Sequence, residues 1–333
     1  MTSKRSHSVH RSGLTMPINN PRFVDKAWTR GCDSINLDFE DSVPQSQKPH
    51  ARTLARDAIA SVNRGGAEVT IRINEGYIEA DVTAALWPGL GGLNMGHTRS
   101  AEEVRLMDRC MTELERRRGI RPGTVVLGVA IDTTLATVRS ETIATASPRI
   151  QAFSGGGGYD YSLDMGVEMF VGFDQFFYPR NETSLIARAL GLRHAVHAQL
   201  PDTAGNVGDA ERAQAQAEAN RRLGGRNGHG LHPNVVEPQN RGLTPPPGEV
   251  EEAQRVLAFF QELDERGEVE GWLQPPVITS EAKSLEGGRR LIDRYEAARA
   301  QELLDWAAAC AEKDAFKARM QAQAQTQESP GAG

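Results

Sequence analysis

Ser34-Ile35-Asn36-Leu37-Asp38 is a short apolar run interrupted by single polar residues. It is followed at once by Phe39-Glu40-Asp41-Ser42-Val43-Pro44 and then by an amphipathic stretch over residues 45–63. A brief extended run, an acidic turn and a segment of helical period together make a βα unit. The same three-part pattern recurs along the chain. Further strands are predicted at 13–16, 69–73, 92–95, 125–131, 150–153, 194–198 and 228–231, and further helices at 100–118, 135–146, 182–190 and 209–223. Gly224-Gly225 closes the last of these as a helix C-terminus should. Eight strands alternating with helices imply an α/β protein of parallel βαβ units. Eight is also the number that closes a (β/α)8 TIM barrel, while a doubly wound open sheet is the alternative.

The 333 residues exceed the roughly 250 that one such barrel needs. We therefore assign residues 11–245 to the barrel and 246–318 to a C-terminal helical extension or lid. In that extension a helix is predicted over 249–266, a strand or lid segment over 272–278, and a long helix over 280–317. Residues 1–10 and the polar, low-complexity stretch 319–333 are expected to be a disordered start and tail. No run approaches the ~20 apolar residues of a membrane helix. The basic start has no apolar core of a secretory signal. Cys32, Cys110 and Cys310 stand far apart without a CxxC pattern, which argues against a disulfide framework or zinc site and fits a cytoplasmic protein. A net charge of −6, with charges scattered, offers no basic footprint for nucleic acid.

The unusual polar residues follow the predicted strands. Pro17-Ile18-Asn19-Asn20 follows the first, Asp38 to Ser42 the second, Arg72-Ile73-Asn74-Glu75 the third, Asp132 the fifth, Ser154 to Asp160 the sixth and His232-Pro233 the eighth. The C-terminal strand ends are the active-site face of a barrel. Asp132 and Asp160 could give Mg²⁺ two carboxylates, or each could merely cap the next helix. Arg72 could clamp a substrate carboxylate bidentately or pair with Asp38 or Glu40. His232 could orient a ligand or hydrogen-bond the rim. Gly155 to Gly158 could let backbone approach a ligand, or form a flexible loop. Glu40 and Asp41 belong to a run of acids whose mutual repulsion could raise one pKa toward that of a general base. Alternatively, Glu40 pairs with Arg72 and Asp41 caps the following segment. Neither a GxSxG motif nor a cysteine in a strand-end loop supports nucleophilic catalysis.

Taken together these motifs resemble the citrate lyase beta-subunit-like proteins of the HpcH/HpaI aldolase/citrate lyase superfamily. The resemblance is carried by Arg11 to Pro17 with Asn20-Pro21-Arg22-Phe23 and Lys26-Ala27, by Leu37 to Pro44 with Lys48, Ala51 and Arg52, and by Arg72-Ile73-Asn74. Gly158-Tyr159-Asp160 with Leu163 and Gly166 adds to it, as does Leu231-His232-Pro233 with Asn240. It implies a homotrimeric or hexameric barrel that makes or breaks a C–C bond in a 3-hydroxyacyl thioester of the citryl, malyl or citramalyl type, carried on coenzyme A or an acyl carrier protein. Asp132 and Asp160 would hold Mg²⁺, and Arg72 would bind the oxoacid carboxylate. Arg11 and the loop bearing Asn19 and Asn20 would face the thioester's phosphate-bearing arm.

The sequence departs from that pattern at three places. Asp132 stands where the family has a longer Glu, and Gly96-His97-Thr98-Arg99 stands for Pro-Lys-x-Glu. Thr279 stands where some family lyases place an Asp base in the lid. The resemblance then leaves Glu40 or Asp41 as the base. Thioester hydrolysis, an aldol reaction of a free oxoacid, and a non-catalytic acyl-thioester-binding protein are the alternatives.

Overall fold

The structure is a computed structural model that describes residues 9–168, 174–193, 207–274, 285–286 and 289–328. The chain divides into two units, Met1–Leu243 with Phe316–Gly333, and Thr244–Ala315.

The first unit is built on a parallel six-stranded sheet in sequential order. Its strands are β1 (Gly13–Pro17), β2 (Ser34–Asp38), β3 (Glu68–Ile73), β4 (Gly92–Met95), β5 (Val126–Ile131) and β6 (Ile150–Gly155). Strand alternation divides its residues between two faces. Ile35, Leu37, Val69, Ile71, Leu93, Leu127, Val129 and Ile131 are at most 2% exposed and pack with helix residues such as Ile59, Val62, Val104 and Met107. Burying one such side chain stabilises by roughly 1.5–3 kcal/mol, so this apolar layer fixes which face each strand presents. Each helix that covers it forms for local reasons. In Ala101–Arg117, Val104, Met107 and Met111 recur at helical spacing, and Ser100 with Glu103 forms a reciprocal capping box.

The opposite face is polar. Thr15, Asn36, Thr70 and Asn94 form a hydrogen-bonded belt across β1 to β4. Asn36 donates to Thr15 Oγ1 (3.2 Å), and Thr70 and Asn94 donate to Asn36 Oδ1 (3.0 and 2.8 Å). Gly128 continues this layer on β5, where a Cβ would lie 2.1 Å from Asn94 Oδ1. Two residues further along these strands come Asp38 and Arg72, so the alternation that sets the belt also aims the strand-end charges.

Both sheet edges carry another parallel segment. Thr15 donates its N–H to Gly230 O (3.0 Å) and Gly230 to Gly13 O (2.8 Å) beside β1, while Phe153 donates to Arg193 O (2.9 Å) beside β6. The predicted strand at 194–198 lies outside the described residues, so the parallel sheet comprises six strands among those described.

In the second unit, β7 (Glu270–Leu273), β8 (Leu285–Glu286) and β9 (Arg289–Asp293) form an antiparallel sheet in the order β7-β9-β8. With the helix Pro247–Glu265 it encloses a small core of Ala253, Val256, Ile292 and Ala300. This corrects the helix expected over 280–317. Residues 289–293 are strand, pairing with β7 and burying Ile292, and the helix runs Arg294–Glu328. The expected disordered tail is therefore helical to Glu328, with Ala324 4% exposed, and Val9 and His10 at the other end are likewise packed. Thr279 and Glu281 lie outside the described residues.

Candidate active site

The loop after β2 is organised around Asp38. Its carboxylate is fully buried and accepts the Nε and Nη2 of Arg72, both at 2.8 Å, and the N–H groups of Glu40 and Ser42. Burial alone would raise this carboxyl, but the Arg72 guanidinium and Ser42 hold it below the usual carboxylate range. Arg72 thus meets Asp38 with its bidentate fork. Its Nη1 lies 2.9 Å from Glu40 Oε2 and 3.1 Å from Asp41 Oδ2. The side of the fork formed by Nε and Nη2 is thus committed to Asp38, and the outer hydrogens of Nη1 and Nη2 are those left for a ligand.

Glu40 is 5% exposed. Its Oε2 has the ion-pair contact with Arg72 but no aligned hydrogen bond. Burial pushes its carboxyl up to about 7; Arg72 and His97 oppose this, while Asp41 and Asp38 add to it. A carboxylate that titrates near neutrality suits a general base. Asp41 is exposed at the rim, ion-paired to Arg72.

After β5, Asp132 does not cap the next helix. Thr133 does so, accepting the Ala136 N–H at 3.1 Å. Among the described residues, Asp132 accepts the His97 N–H alone, at 3.3 Å. Burial raises its carboxyl above the usual range, and the neighbouring charge of Asp160 adds to the rise. Asp160 sits exposed in the first turn of Tyr159–Met165, whose N-cap is Gly158. Among the described residues no cation pairs with either acid. The loop between them is fixed rather than loose. Gly156 donates to Ile131 O (2.8 Å), and a Cβ on Gly155, at φ +132°, would lie 2.2 Å from that same oxygen. Two carboxylates with lone pairs to spare, Asp132 half-buried and Asp160 exposed, are a donor set that a hard cation would complete.

The remaining predicted residues separate. Asn19 and Asn20 lie after β1, where the neighbouring Ile18 donates its N–H to Asp38 O (3.3 Å) and the Asn19 amide donates to Gln47. They therefore border the site. His232 is on the rim, its Nδ1 accepting the Asn234 N–H (3.2 Å). Arg11 is a correction. It precedes β1 at the N-terminal edge of the sheet, is 1% exposed, and pairs through Nε and Nη2 with both oxygens of Asp33. It braces the fold at the far end of the strands from the acids. Lys48, Arg52 and Asn74 also form a support network, in which Asp81 accepts from Arg52 Nε (2.6 Å) and the Asn74 N–H (2.7 Å), and Lys48 donates to Asn74.

His97, which sequence reasoning noted only as a departure from a motif, approaches Glu40 Oε1 with its Nε2 at 3.6 Å. Cavities of about 520 Å³ at Arg56, Trp87 and Arg118, and of about 230 Å³ at Asp209, Asn220 and His229, include none of these acids. The chemistry-bearing residues, not the cavity volumes, locate the site.

Several known proteins are similar to this one. The chain is 28% identical over 262 residues to the citrate lyase subunit beta of Leuconostoc mesenteroides subsp. cremoris, covering 78% of this chain and 85% of that one. It is 29% identical over 277 residues to an L-malyl-CoA/beta-methylmalyl-CoA lyase of Cereibacter sphaeroides, covering 78% and 86%. Its fold matches a crystal structure of protein CitE from Mycobacterium tuberculosis in complex with magnesium, acetoacetate and coenzyme A. That match has a TM-score of 0.66 and 20% identity, over 91% of this chain and 99% of the other. A likeness at that identity speaks for the fold alone. The sequence profile of one family matches residues 11–221, well over half of the chain, and the chain therefore belongs to the HpcH/HpaI aldolase/citrate lyase family.

Proposed function

We propose that this protein is a Mg²⁺-dependent carbon–carbon lyase that cleaves or forms a 3-hydroxyacyl thioester, releasing or consuming an oxoacid. The carrying observation is the pair Asp132 and Asp160, unmatched by any described cation at the ends of β5 and β6. The names of the relatives, lyases of citrate and malyl-CoA, point the same way. Asp132 and Asp160 would hold the Mg²⁺, which when bound would supply Lewis acidity to the reacting substrate.

The protein's own groups then divide the work. Arg72, oriented by Asp38, offers its outer Nη hydrogens to the oxoacid carboxylate. Glu40 takes the substrate hydroxyl proton, and Asp41 remains the second acid within reach. As that proton leaves, the C–C bond breaks. Its electron pair passes to the thioester carbonyl as an enolate, while the hydroxyl carbon becomes the carbonyl carbon of the oxoacid. Protonation of the enolate carbon completes the cleavage. Asn19, Asn20 and His232 line the approach for the acyl carrier, either coenzyme A or a carrier protein.

We read the fold as a closed (β/α)8 barrel. This is supported by the parallel segments already flanking both edges of the six-stranded sheet. Assembly as a homotrimer or hexamer is carried over from the family resemblance, and a cytoplasmic location from the three cysteines far apart without a CxxC pattern. No helix among the described residues is long and apolar enough to cross a membrane.

The test is turnover of malyl-, citramalyl- and citryl-CoA with Mg²⁺, following release of the acyl thioester and oxoacid. We expect one of the three to be cleaved and cleavage to stop on chelation. Binding of all three without cleavage would overturn the lyase reading in favour of an acyl-thioester-binding protein.

A further inference from the structure

His97 touches both halves of the site. Its backbone N–H donates to Asp132 Oδ2 (3.3 Å), and its ring Nε2 stands 3.6 Å from Glu40 Oε1. It can do both because of its backbone. His97 is the one described non-glycine residue with positive φ, at +49°. A side chain with a Cβ adopts that region only where its surroundings impose it, and such residues gather at functional sites. The preceding Gly96 faces the same carboxylate, since a Cβ there would lie 3.4 Å from Glu40 Oε1. Glu40 Oε2, meanwhile, has no aligned hydrogen bond.

The ligand atoms of Glu40, Asp41 and His97 lie within 4.8 Å of one another, close enough for a metal. However, Arg72 Nη1 is already placed on both acids, at 2.9 and 3.1 Å, so that position is charge-compensated. We infer that His97 is a positioning residue: its ring holds Glu40 in the orientation that reaches the substrate hydroxyl, while its backbone holds Asp132. A closure of the 3.6 Å gap to hydrogen-bond length, ~2.9 Å, lets Nε2–H donate to Glu40 Oε1 and leaves Oε2 as the proton acceptor. This rests on the lyase reading above and adds to it the residue that couples the proton acceptor to the metal pair.

The two roles separate by substitution. His97→Gly keeps the N–H and suits the positive φ, removing only the ring. His97→Gln restores an N–H donor at similar reach. With the thioester that the wild type cleaves, we expect His97→Gly to lower kcat by ~10-fold or more, the usual scale for disturbing a general base. KM and the Mg²⁺ affinity by calorimetry should stay within about twofold, and His97→Gln should recover most of the loss. If the ring acts through Glu40, the double variant His97→Gly/Glu40→Gln is no slower than Glu40→Gln alone. Wild-type kcat in His97→Gly, weakened Mg²⁺ binding, or losses that multiply in the double variant would each overturn the inference. Should the wild type cleave no thioester, the lyase reading fails on its own. The inference is then judged by urea unfolding of the wild type, His97→Gly, Glu40→Gln and the double variant: additive effects overturn it, and a coupling between the two substitutions sustains it.

Discussion

The two ends of the parallel sheet use the same residue types to opposite effect. At the N-terminal ends the buried acids Asp33 and Glu115 are matched by cations. Asp33 lies between Arg11 and Lys317, the latter at 2.5 Å. Arg149, which precedes β6, binds both oxygens of Glu115 and also Asp108 and Thr112. At the C-terminal ends Asp38, Glu40, Asp41, Asp132 and Asp160 face one arginine and one histidine. Asp38 alone is fully matched there. A closed ion pair stabilises a fold, whereas an open excess of one sign leaves lone pairs for a ligand. The difference supports the proposal that the C-terminal ends carry the site.

The largest expected effect breaks the closed end. Arg149→Leu leaves Glu115 and Asp108 without their cation, and Glu115 is fully buried. Breaking such a pair costs about 3–5 kcal/mol. Urea unfolding should show that loss, whereas a stability within 1 kcal/mol of wild type would mean the charges at this end are not matched as described.

A smaller effect separates the two ends by pH. Burial would raise Asp33, Asp108 and Glu115, but hydrogen-bonded cations, and for Asp108 first the Ser147 hydroxyl, hold them below the usual carboxylate range. Their folded pKa is the lower one, so the stability they contribute is present above the ordinary carboxylate pKa and is lost as pH falls through the folded value. Glu40 has the opposite sign. Burial raises its carboxyl to about 7, so without metal the folded state keeps a proton that the unfolded chain releases. That contribution is full below the ordinary Glu pKa and is lost as pH rises through about 7. Metal-free protein should therefore lose on the order of 2 kcal/mol of stability between mildly acidic and neutral pH, and Glu40→Gln should flatten that fall. An equal slope in the variant would show that Glu40 titrates as an ordinary surface acid.

Much of this division was legible in the sequence, because strands and their ends are local features. β-prone runs placed β1 to β6, and Asp38, Asp132 and Asp160 followed from standing just past them. Non-local pairing was not legible. Nothing near Arg11 announces that Asp33, 22 residues away, takes its guanidinium. Similarly, the pairing of Arg72 with Asp38 follows from the parallel register that sets the two opposite each other, which the local sequence does not show. Residues 289–293 read as the start of a long helix, yet pairing with β7 and the burial of Ile292 outweigh that preference. Residues 319–328 read as low complexity, but Gln, Ala and Met are good helix formers that extend a helix already begun. The role of His97 depends on its φ, which composition does not encode.

Calorimetric titration of Mg²⁺ into the wild type, Asp132→Asn and Asp160→Asn tests the central claim, that the open acids at the C-terminal ends form a cation site. One ion per chain should bind the wild type, with heat lost in both variants while their folding, followed by circular dichroism, is unchanged. Wild-type Mg²⁺ affinity in either folded variant would contradict the account.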